Sequence, residues 1–564
     1  MIIVRRETPG AAAAALAAAG LPPVLARIYA ARGITSPAEL DCGLAALPPF
    51  GAMLGIDRAA ERLARAITRR ERIVIVADYD ADGATACAVG IRGLRALGAE
   101  ADFLVPNRFE FGYGLTPEIV AVAAAMRPDL LITVDNGIAS LDGVAAAAAR
   151  GIDVLVTDHH LPGATLPAPA IIVDPNQPGC TFASKNIAGV GVMFYVLTAL
   201  RARLRGSGAL PARGGPHLAS LLDLVALGTI ADVVPLDRVN RILVRQGLDR
   251  IRAGRATAGI AALFDAAGRD TADACVADLG YAVGPRLNAA GRLADMSLGI
   301  RCLLAEDAEE ARGLAAKLDR LNRERREVEA SMHEDAQVLL AATGPIAGDA
   351  ATLCLHQPQW HQGVVGILAS RLKDRYHRPT VIFAAAQNGE LRGSGRSIDG
   401  FHLRDAIDLV AKRVPGAVLR FGGHAHAAGL SITPAALADF AAAFEAVARE
   451  LLDPSGLQRQ LDTDGELAAG ELTLELCAAL RDGVWGRAFP PPAFDGVFDV
   501  LSQRSVGAGH AKLELGRGGE RYDAIAFRQP LPVPARIRGV YRPEISRWKG
   551  FARIQLVLDD CRAA

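Results

Sequence analysis

The sequence predicts an α/β protein: a doubly wound parallel-sheet domain, a long connector helix, a second smaller α/β domain and a C-terminal OB-like β-barrel. Three observations predict it. From residue 72, short apolar runs alternate with helical stretches, the pattern of parallel strands joined by crossover helices. Residues 305–340, AEDAEEARGLAAKLDRLNRERREVEASMHEDAQVLL, form one charged helical run that is polar on most faces. After Pro454 the pattern changes to short alternating strands with Gly and Pro turns, as in FDGVFDVL, HAKLELG and YDAIAF.

Taken in order, residues 1–50 form an N-terminal helical region. MIIVRRETPGAAAAALAAAG places basic residues before an Ala run, as a secretory leader does, but the run is broken by Gly20 and followed at once by the amphipathic LPPVLARIYAARG. No apolar stretch is long enough to span a bilayer, so no membrane role is expected. Residues 51–235 form the first α/β domain. RIVIVA (72–77) is a buried strand, GATACAVGIRGLRALG (83–98) a helix and DFLVP (102–106) a strand. A helix over 116–126 follows, with Thr116 as N-cap and Pro117 in its first turn. LLITV (130–134) and DVLVT (153–157) are strands flanking another helix. Residues 236–345 are helical, 346–453 make the second α/β domain, and 455–564 make the barrel.

Bulk composition excludes some classes. With 564 residues, 51% hydrophobic and 22% charged, the chain has enough apolar content for several folded cores. Lys plus Arg and Asp plus Glu balance at 62 each, so a polyanion partner needs a local basic surface. Eight Cys are scattered without a C-x-x-C pair, which argues against structural zinc and disulfides and for a reducing, cytoplasmic setting.

Chemistry concentrates where predicted buried strands end. VADYDADG brings Asp78, Asp80 and Asp82, TVDNG brings Asp135, VTDHH brings Asp158, His159 and His160, and ALGTIADVVPL brings Asp232. Strand C-termini line the ligand crevice of an open α/β sheet, so these carboxylates converge. Alternate Asp residues of D-x-D-x-D share one side of an extended backbone. Each Asp alone is explained as a helix or turn cap. Together they would repel without cations, and a mixed carboxylate and imidazole set suits Mn²⁺ better than an all-oxygen set does.

DYDADGATA, VDNG, TDHH and the distant GTIADVVPL resemble the DHH phosphoesterase superfamily. VPNRFEFGYGL, GPRLNAAGRLADMSLGI, LNRERREVE, WHQGVVGILASRLKDRYHRP, GSGRSIDGFHLRDAI and FGGHAHAAGLSI resemble its RecJ-type single-strand-specific exonucleases. The resemblance implies a DHH domain, a DHH-associated domain and an OB-fold that binds nucleic acid. It implies two divalent ions, Mn²⁺ or Mg²⁺, on Asp80, Asp82, Asp135, His159 and Asp232, with Asp135 bridging. Many members carry His where this chain has Val76, which leaves Asp78 as either a substitute ligand or a support. It further implies that His160 contacts the scissile phosphate, that Asp158 orients the histidines, and that His424 lies near that phosphate. Arg108, Ser394 and Arg396 would receive the 5′ end, and Arg286, Asn288 and Arg292 the strand backbone.

The activity implied is 5′→3′ release of nucleoside 5′-monophosphates from single-stranded DNA, in recombination and repair. Single-stranded DNA is then the partner, together with a single-strand-binding protein and a helicase. Two alternatives are a relative acting on short oligonucleotides or cyclic dinucleotides, and a non-catalytic replication scaffold. The barrel disfavours the first, and intact acidic motifs disfavour the second. Within the barrel, Arg536, Arg538, Tyr541, Arg542, Arg547, Trp548, Lys549, Phe551 and Arg553 interleave cations with rings, a pattern suited to a single strand, although each ring is equally well explained as core.

Overall fold

The structure, a computed structural model, describes residues 2–107, 114–342, 350–386, 388–507, 509–548 and 551–564. The chain divides into two compact units, Arg5–Arg320 with Asp462–Ala564, and Met1–Val4 with Leu321–Leu461. The order begins with β1 (Ile2–Arg5), α1 (Gly10–Ala18), α2 (Pro23–Ala30) and α3 (Ile56–Arg69). Leu16 and Ile28 are fully buried, so the Ala-rich N-terminal stretch is packed helix. No helix of the described residues is long and apolar enough to cross a membrane.

The first sheet contains β2 (Arg72–Ala77), β3 (Glu100–Leu104), β4 (Leu130–Val134), β5 (Asp153–Thr157) and β6 (Ile171–Val173), interleaved with α4 (Ala81–Ala96), α5 (Pro117–Ala124) and α6 (Leu141–Ala148). All pairings are parallel, in the order β3-β2-β4-β5-β6. Val74, Val76, Leu131, Val154 and Val156 pack with Ile119, Val120, Val144 and Ala147 on one face. On the other, Gly90 of α4 lies against Ile75 and against Met193 of α7 (Gly189–Gly206). The chain leaves β2 toward β3 and returns across it to β4. This reversal opens a crevice at the C-terminal ends of β2 and β4, where ligands bind in such sheets.

Helices α8 (Leu222–Ala231), α9 (Arg238–Arg252), α10 (Ala258–Ala266), a π-helical turn (Asp278–Val283), α11 (Gly284–Leu293) and α12 (Ser297–Leu304) follow. The expected long helix is α13 (Ala308–Ala342), 35 residues. The division between the units falls within it.

The second α/β domain contains β7 (Leu353–His356), α14 (Val365–Tyr376), β8 (Thr380–Ala385), β9 (Leu391–Arg396), α15 (Leu403–Arg413), β10 (Arg420–Gly423), β11 (Ala427–Ile432) and α16 (Leu437–Leu451). Its sheet runs β10-β11-β9-β8-β7, and only β7 and β8 are parallel. Phe383, Phe401, Phe440 and Phe444 centre its core.

After β12 (Gln460–Thr463) comes α17 (Leu474–Asp482), so alternating strands do not begin straight after Pro454. The barrel proper comprises β13 (Phe494–Val506), β14 (His510–Arg517), β15 (Glu520–Ala526), β16 (Arg536–Trp548) and β17 (Phe551–Ala563), closed in the order β13-β14-β15-β17-β16. The segment before it packs on the N-terminal helices. Trp485 stacks on Tyr29 and on Phe489 at 5.5 and 5.4 Å between ring centroids, and the Arg32 guanidinium lies 5.3 Å from the Trp485 ring. Asp464, fully buried, takes the Arg32 guanidinium at 2.6 and 3.0 Å.

Candidate metal centre and phosphate pocket

The crevice residues are placed by backbone geometry first. Asp80 is the N-cap of α4, its Oδ1 accepting from Gly83 N at 3.0 Å. Helix α4 starts two residues earlier than the sequence pattern implied, so Asp82 reaches the crevice from a helical turn and not by strand alternation. Fully buried, Asp82 accepts from Gly189 N at 2.7 Å and Val190 N at 2.9 Å, the first amides of α7. Those amides and the helix dipole stabilise its charge. Asp135 follows β4 with φ 62°, a left-handed conformation that turns its carboxylate into the crevice. Gly189 makes room for it, because a β-carbon there would stand 2.8 Å from Asp135 Cβ. Asn136 fastens the reversal point by donating from Nδ2 to Val134 O at 2.9 Å and Val76 O at 3.3 Å.

His159 is the hub. Its Nε2 lies 3.0 Å from Asp135 Oδ1, 3.5 Å from Asp232 Oδ2 and 3.9 Å from Asp82 Oδ2. Asp232 arrives from the C-terminal end of helix α8, not from a strand as the apolar run ALGTI suggested. Three donor groups are compact enough for an ion: Asp78 with Asp80 and Asp135, Asp82 with His159 and Asp232, and Asp135 with both histidines. Asp135 belongs to the first and third of these, and its Oδ1 lies 3.0 Å from His159 Nε2 of the second, a position from which one carboxylate could serve two ions.

Electrostatics test whether cations fit. Burial, and then the charges of Asp232 and Asp80, hold the Asp82 carboxyl well above its usual range. Burial and the charges of Asp82, Asp80 and Asp232 do the same at Asp135. Burial also raises Asp232 and pulls His159 down, so the imidazole does not supply the missing positive charge. Divalent cations would resolve this conflict, and the donor set fits them.

Asp158 does a different job. Its Oδ1 accepts from His159 N and His160 N at 2.8 and 3.2 Å and meets His160 Nδ1 at 2.8 Å, while Oδ2 accepts from Ile138 N at 2.9 Å. Burial alone would raise this carboxyl, but the hydrogen bond and charge of His160, with His159 and Ile138 N, hold it below the ordinary value. Burial would likewise lower His160, yet Asp158, Asp232 and Asp78 raise it to about 9.

One crevice residue escaped sequence reasoning. Asp174 follows the three-residue strand β6 and is fully buried. Its Oδ1 accepts from Asn176 N at 2.6 Å, and Asn176 Nδ2 donates to His159 O at 2.6 Å, bracing the histidine loop. Burial and the nearby Asp158 charge raise Asp174 to about 8. The signal was present in IIVDPNQ, another apolar run ending in Asp.

The expected strand contacts divide. Arg286 is 7% exposed and donates to Asp319 at 3.0 Å, Ala282 O at 2.6 Å and Ala266 O at 3.3 Å. Its guanidinium is thus committed inside the helical region, not displayed to a backbone. Asn288 Oδ1 accepts from Ala81 N at 2.9 Å and so steadies the acidic loop. Gly291 of the same helix approaches that loop so closely that a β-carbon would stand 1.9 Å from Tyr79 O. Arg292 is half-buried on α11. Arg108 lies outside the described residues.

In the other unit, β9 carries Ser394 and Arg396. Arg396 Nη1 donates to Gly395 O at 2.7 Å and Ser394 Oγ at 3.2 Å. Gly366, in the first turn of α14, brings that helix's N-terminus to both, since a β-carbon there would stand 2.9 Å from Ser394 Oγ and 3.1 Å from Arg396 Nη2. Burial lowers the Arg396 pKa, and no carboxylate of the described residues is paired with it. A guanidinium, a hydroxyl and a helix N-terminus are groups suited to an anion. His424 sits in the turn between β10 and β11, its N–H donating to Ala427 O at 2.8 Å.

In the barrel, Tyr541 is core, with its ring centroid 5.5 Å from that of Phe498 and 6.0 Å from that of Phe494. The cations counted along one strand find acids on neighbouring strands: Arg538 meets Asp495 at 2.9 Å and Arg542 meets Asp559 at 2.8 Å. Phe551 is 69% exposed. The Arg547, Trp548 and Lys549 side chains lie outside the described residues.

Comparisons with known proteins match the domains just described. The DHH family N-terminal domain matches residues 72–229, the DHHA1 domain 347–450 and the RecJ OB domain 463–560. The chain is 50% identical over 557 residues to the single-stranded-DNA-specific exonuclease RecJ of Dickeya dadantii (strain 3937), covering 96% of each. It is 48% identical over 557 residues to that of Escherichia coli (strain K12), again covering 96% of each. The crystal structure of RecJ in complex with Mn²⁺ from Thermus thermophilus superposes with a TM-score of 0.83 at 32% identity, over 100% of this chain and 79% of that one. The corresponding Mg²⁺ complex gives 0.78 at 30% identity, over 100% and 78%.

Proposed function

Because the chain belongs to the RecJ family of single-stranded-DNA-specific exonucleases, we propose that it removes nucleoside 5′-monophosphates from single-stranded DNA, 5′→3′, by two-metal phosphodiester hydrolysis. The observation that carries this reading is the pair of compact donor sets at the sheet's reversal point, with Asp135 Oδ1 of one 3.0 Å from His159 Nε2 of the other. Asp78, Asp80 and Asp135 would hold one Mn²⁺ or Mg²⁺, and Asp82, His159 and Asp232 the other, with Asp135 shared. When bound, the ions supply Lewis-acid charge at the phosphate and lower the pKa of the attacking water. His160, clamped through Nδ1 by Asp158, presents an imidazolium to the scissile phosphate. Ser394, Arg396 and the start of α14 receive the terminal 5′ phosphate. The barrel holds the single strand.

An enzyme confined to single strands depends on unwound DNA, so a helicase and a single-strand-binding protein are its natural partners in recombination and repair, in the cytoplasm. The test compares nucleotide release from single-stranded DNA, duplex DNA and RNA with Mn²⁺, Mg²⁺ and chelator. Metal-independent release, or equal rates on duplex, would overturn the reading.

Arg396→Ala is expected to weaken engagement of 5′-phosphorylated strands by about 2 kcal/mol, roughly 30-fold, through loss of a charge-assisted contact. The loss should be much smaller on 5′-hydroxyl strands. KM measured on both ends checks this, and an equal loss removes Arg396 from the pocket.

A further inference from the structure

Tyr281 is the most exposed of the large apolar side chains among the described residues, at 84%. It projects from the π-helical turn Asp278–Val283, whose Leu279, Ala282 and Val283 are buried and hold the turn in place. That turn packs on the end of α8. A β-carbon on Gly280 would lie 3.3 Å from Ile230 Cγ2, and one on Gly284 3.3 Å from Ala231 Cβ. The next residue is Asp232, whose carboxylate is 3.5 Å from His159 Nε2. The turn runs on into α11, where Asn288 holds Ala81 N. Tyr281 precedes Asn288 by about two helical turns, roughly 10 Å along the axis. Beside Asp232 on the other side, Val233 is 59% exposed. Exposed apolar side chains thus occur on the turn packed at the end of α8 and next to Asp232 in the chain. Arg542 of the barrel is paired with Asp559 at 2.8 and 2.9 Å.

We propose that Tyr281 is a base-stacking platform: its ring takes the face of one nucleobase a short distance downstream of the scissile phosphate. This rests on the exonuclease reading above. A phosphate entering the acidic crevice is met by cations, but the base attached to the chain behind it needs a flat apolar surface. An exposed ring on the turn packed beside Asp232 supplies that surface without selecting a sequence. An interrupted helical turn places the ring outside the regular α-helical ladder, a device that recurs at functional sites.

The experiment measures release kinetics on 5′-phosphorylated oligonucleotides carrying one abasic residue, moved a position at a time from the 5′ end. Tyr281→Ala is expected to raise KM on unmodified strands about tenfold, the size of one lost base stack, while kcat stays within about twofold. Tyr281→Phe and Tyr281→Trp should keep the wild-type KM. In the wild type, one abasic position should reproduce the Tyr281→Ala loss, and that position should cause no further loss in Tyr281→Ala. An unchanged KM in Tyr281→Ala, an equal loss in Tyr281→Phe, or an abasic penalty that persists in Tyr281→Ala would each overturn the proposal, leaving the ring as a surface for a protein partner. A wild type that releases no nucleotides would overturn the exonuclease reading itself, and the stacking role with it.

Discussion

Replacing Asp135 is expected to abolish nucleotide release, by roughly 10³-fold or more, while leaving the fold intact. Its carboxylate belongs to one donor set and lies 3.0 Å from His159 Nε2 of the other, so its loss disturbs both. The side chain sits among Asp82, Asp80 and Asp232, and burial already holds its carboxyl well above the usual range. Removing it relieves repulsion, so the metal-free protein should melt at the same temperature or higher. Asparagine is the cleaner substitution, because at φ 62° it tolerates the left-handed backbone that alanine resists by about 1 kcal/mol. Two measurements check this: release across a Mn²⁺ titration, and melting with and without Mn²⁺. Ligand binding should stabilise the wild type and do so far less in the variant. Near-normal turnover at saturating Mn²⁺ would remove Asp135 from the centre.

The largest structural effect is expected at Asp464→Ala, about 3–5 kcal/mol of stability. Arg32 and Asp464 are almost wholly buried and joined by two short hydrogen bonds, and Asp464 also accepts from Ala493 N at 3.1 Å. Truncation leaves the Arg32 guanidinium buried without its counter-charge, although Pro490 O and Ile28 O still accept from it. Trp485, stacked beneath Arg32, reports the loss by fluorescence during urea unfolding. The double variant Arg32→Ala/Asp464→Ala should cost clearly less than the two single changes added together. A loss below about 1 kcal/mol would mean that the pair behaves as a solvated surface bridge.

The centre was legible because its residues follow apolar strands locally: Asp78 to Asp82 after RIVIVA, Asp135 after LLITV and Asp158 to His160 after DVLVT. Asp232 was found as a residue but placed on the wrong element, since a short apolar run reads equally as strand or buried helix. Asp174 was missed because IIV is shorter than the periodicity a strand needs to declare itself. The remainder is non-local. Asn288 meets Ala81 from 207 residues away, and Arg286 meets Asp319 across 33. The basic run of β16 looked unbalanced because Asp495 and Asp559 lie on other strands. Residue types along one segment carry no record of such partners.

Val233 has φ 61°, a conformation that β-branched residues strongly resist. Anyone seeking a more heat-resistant version by backbone preference alone would choose this position early and install glycine. The same change would strip an exposed apolar group from beside Asp232 and loosen the turn that presents it. A screen scoring only survival at high temperature would favour that change without ever testing how Asp232 is held.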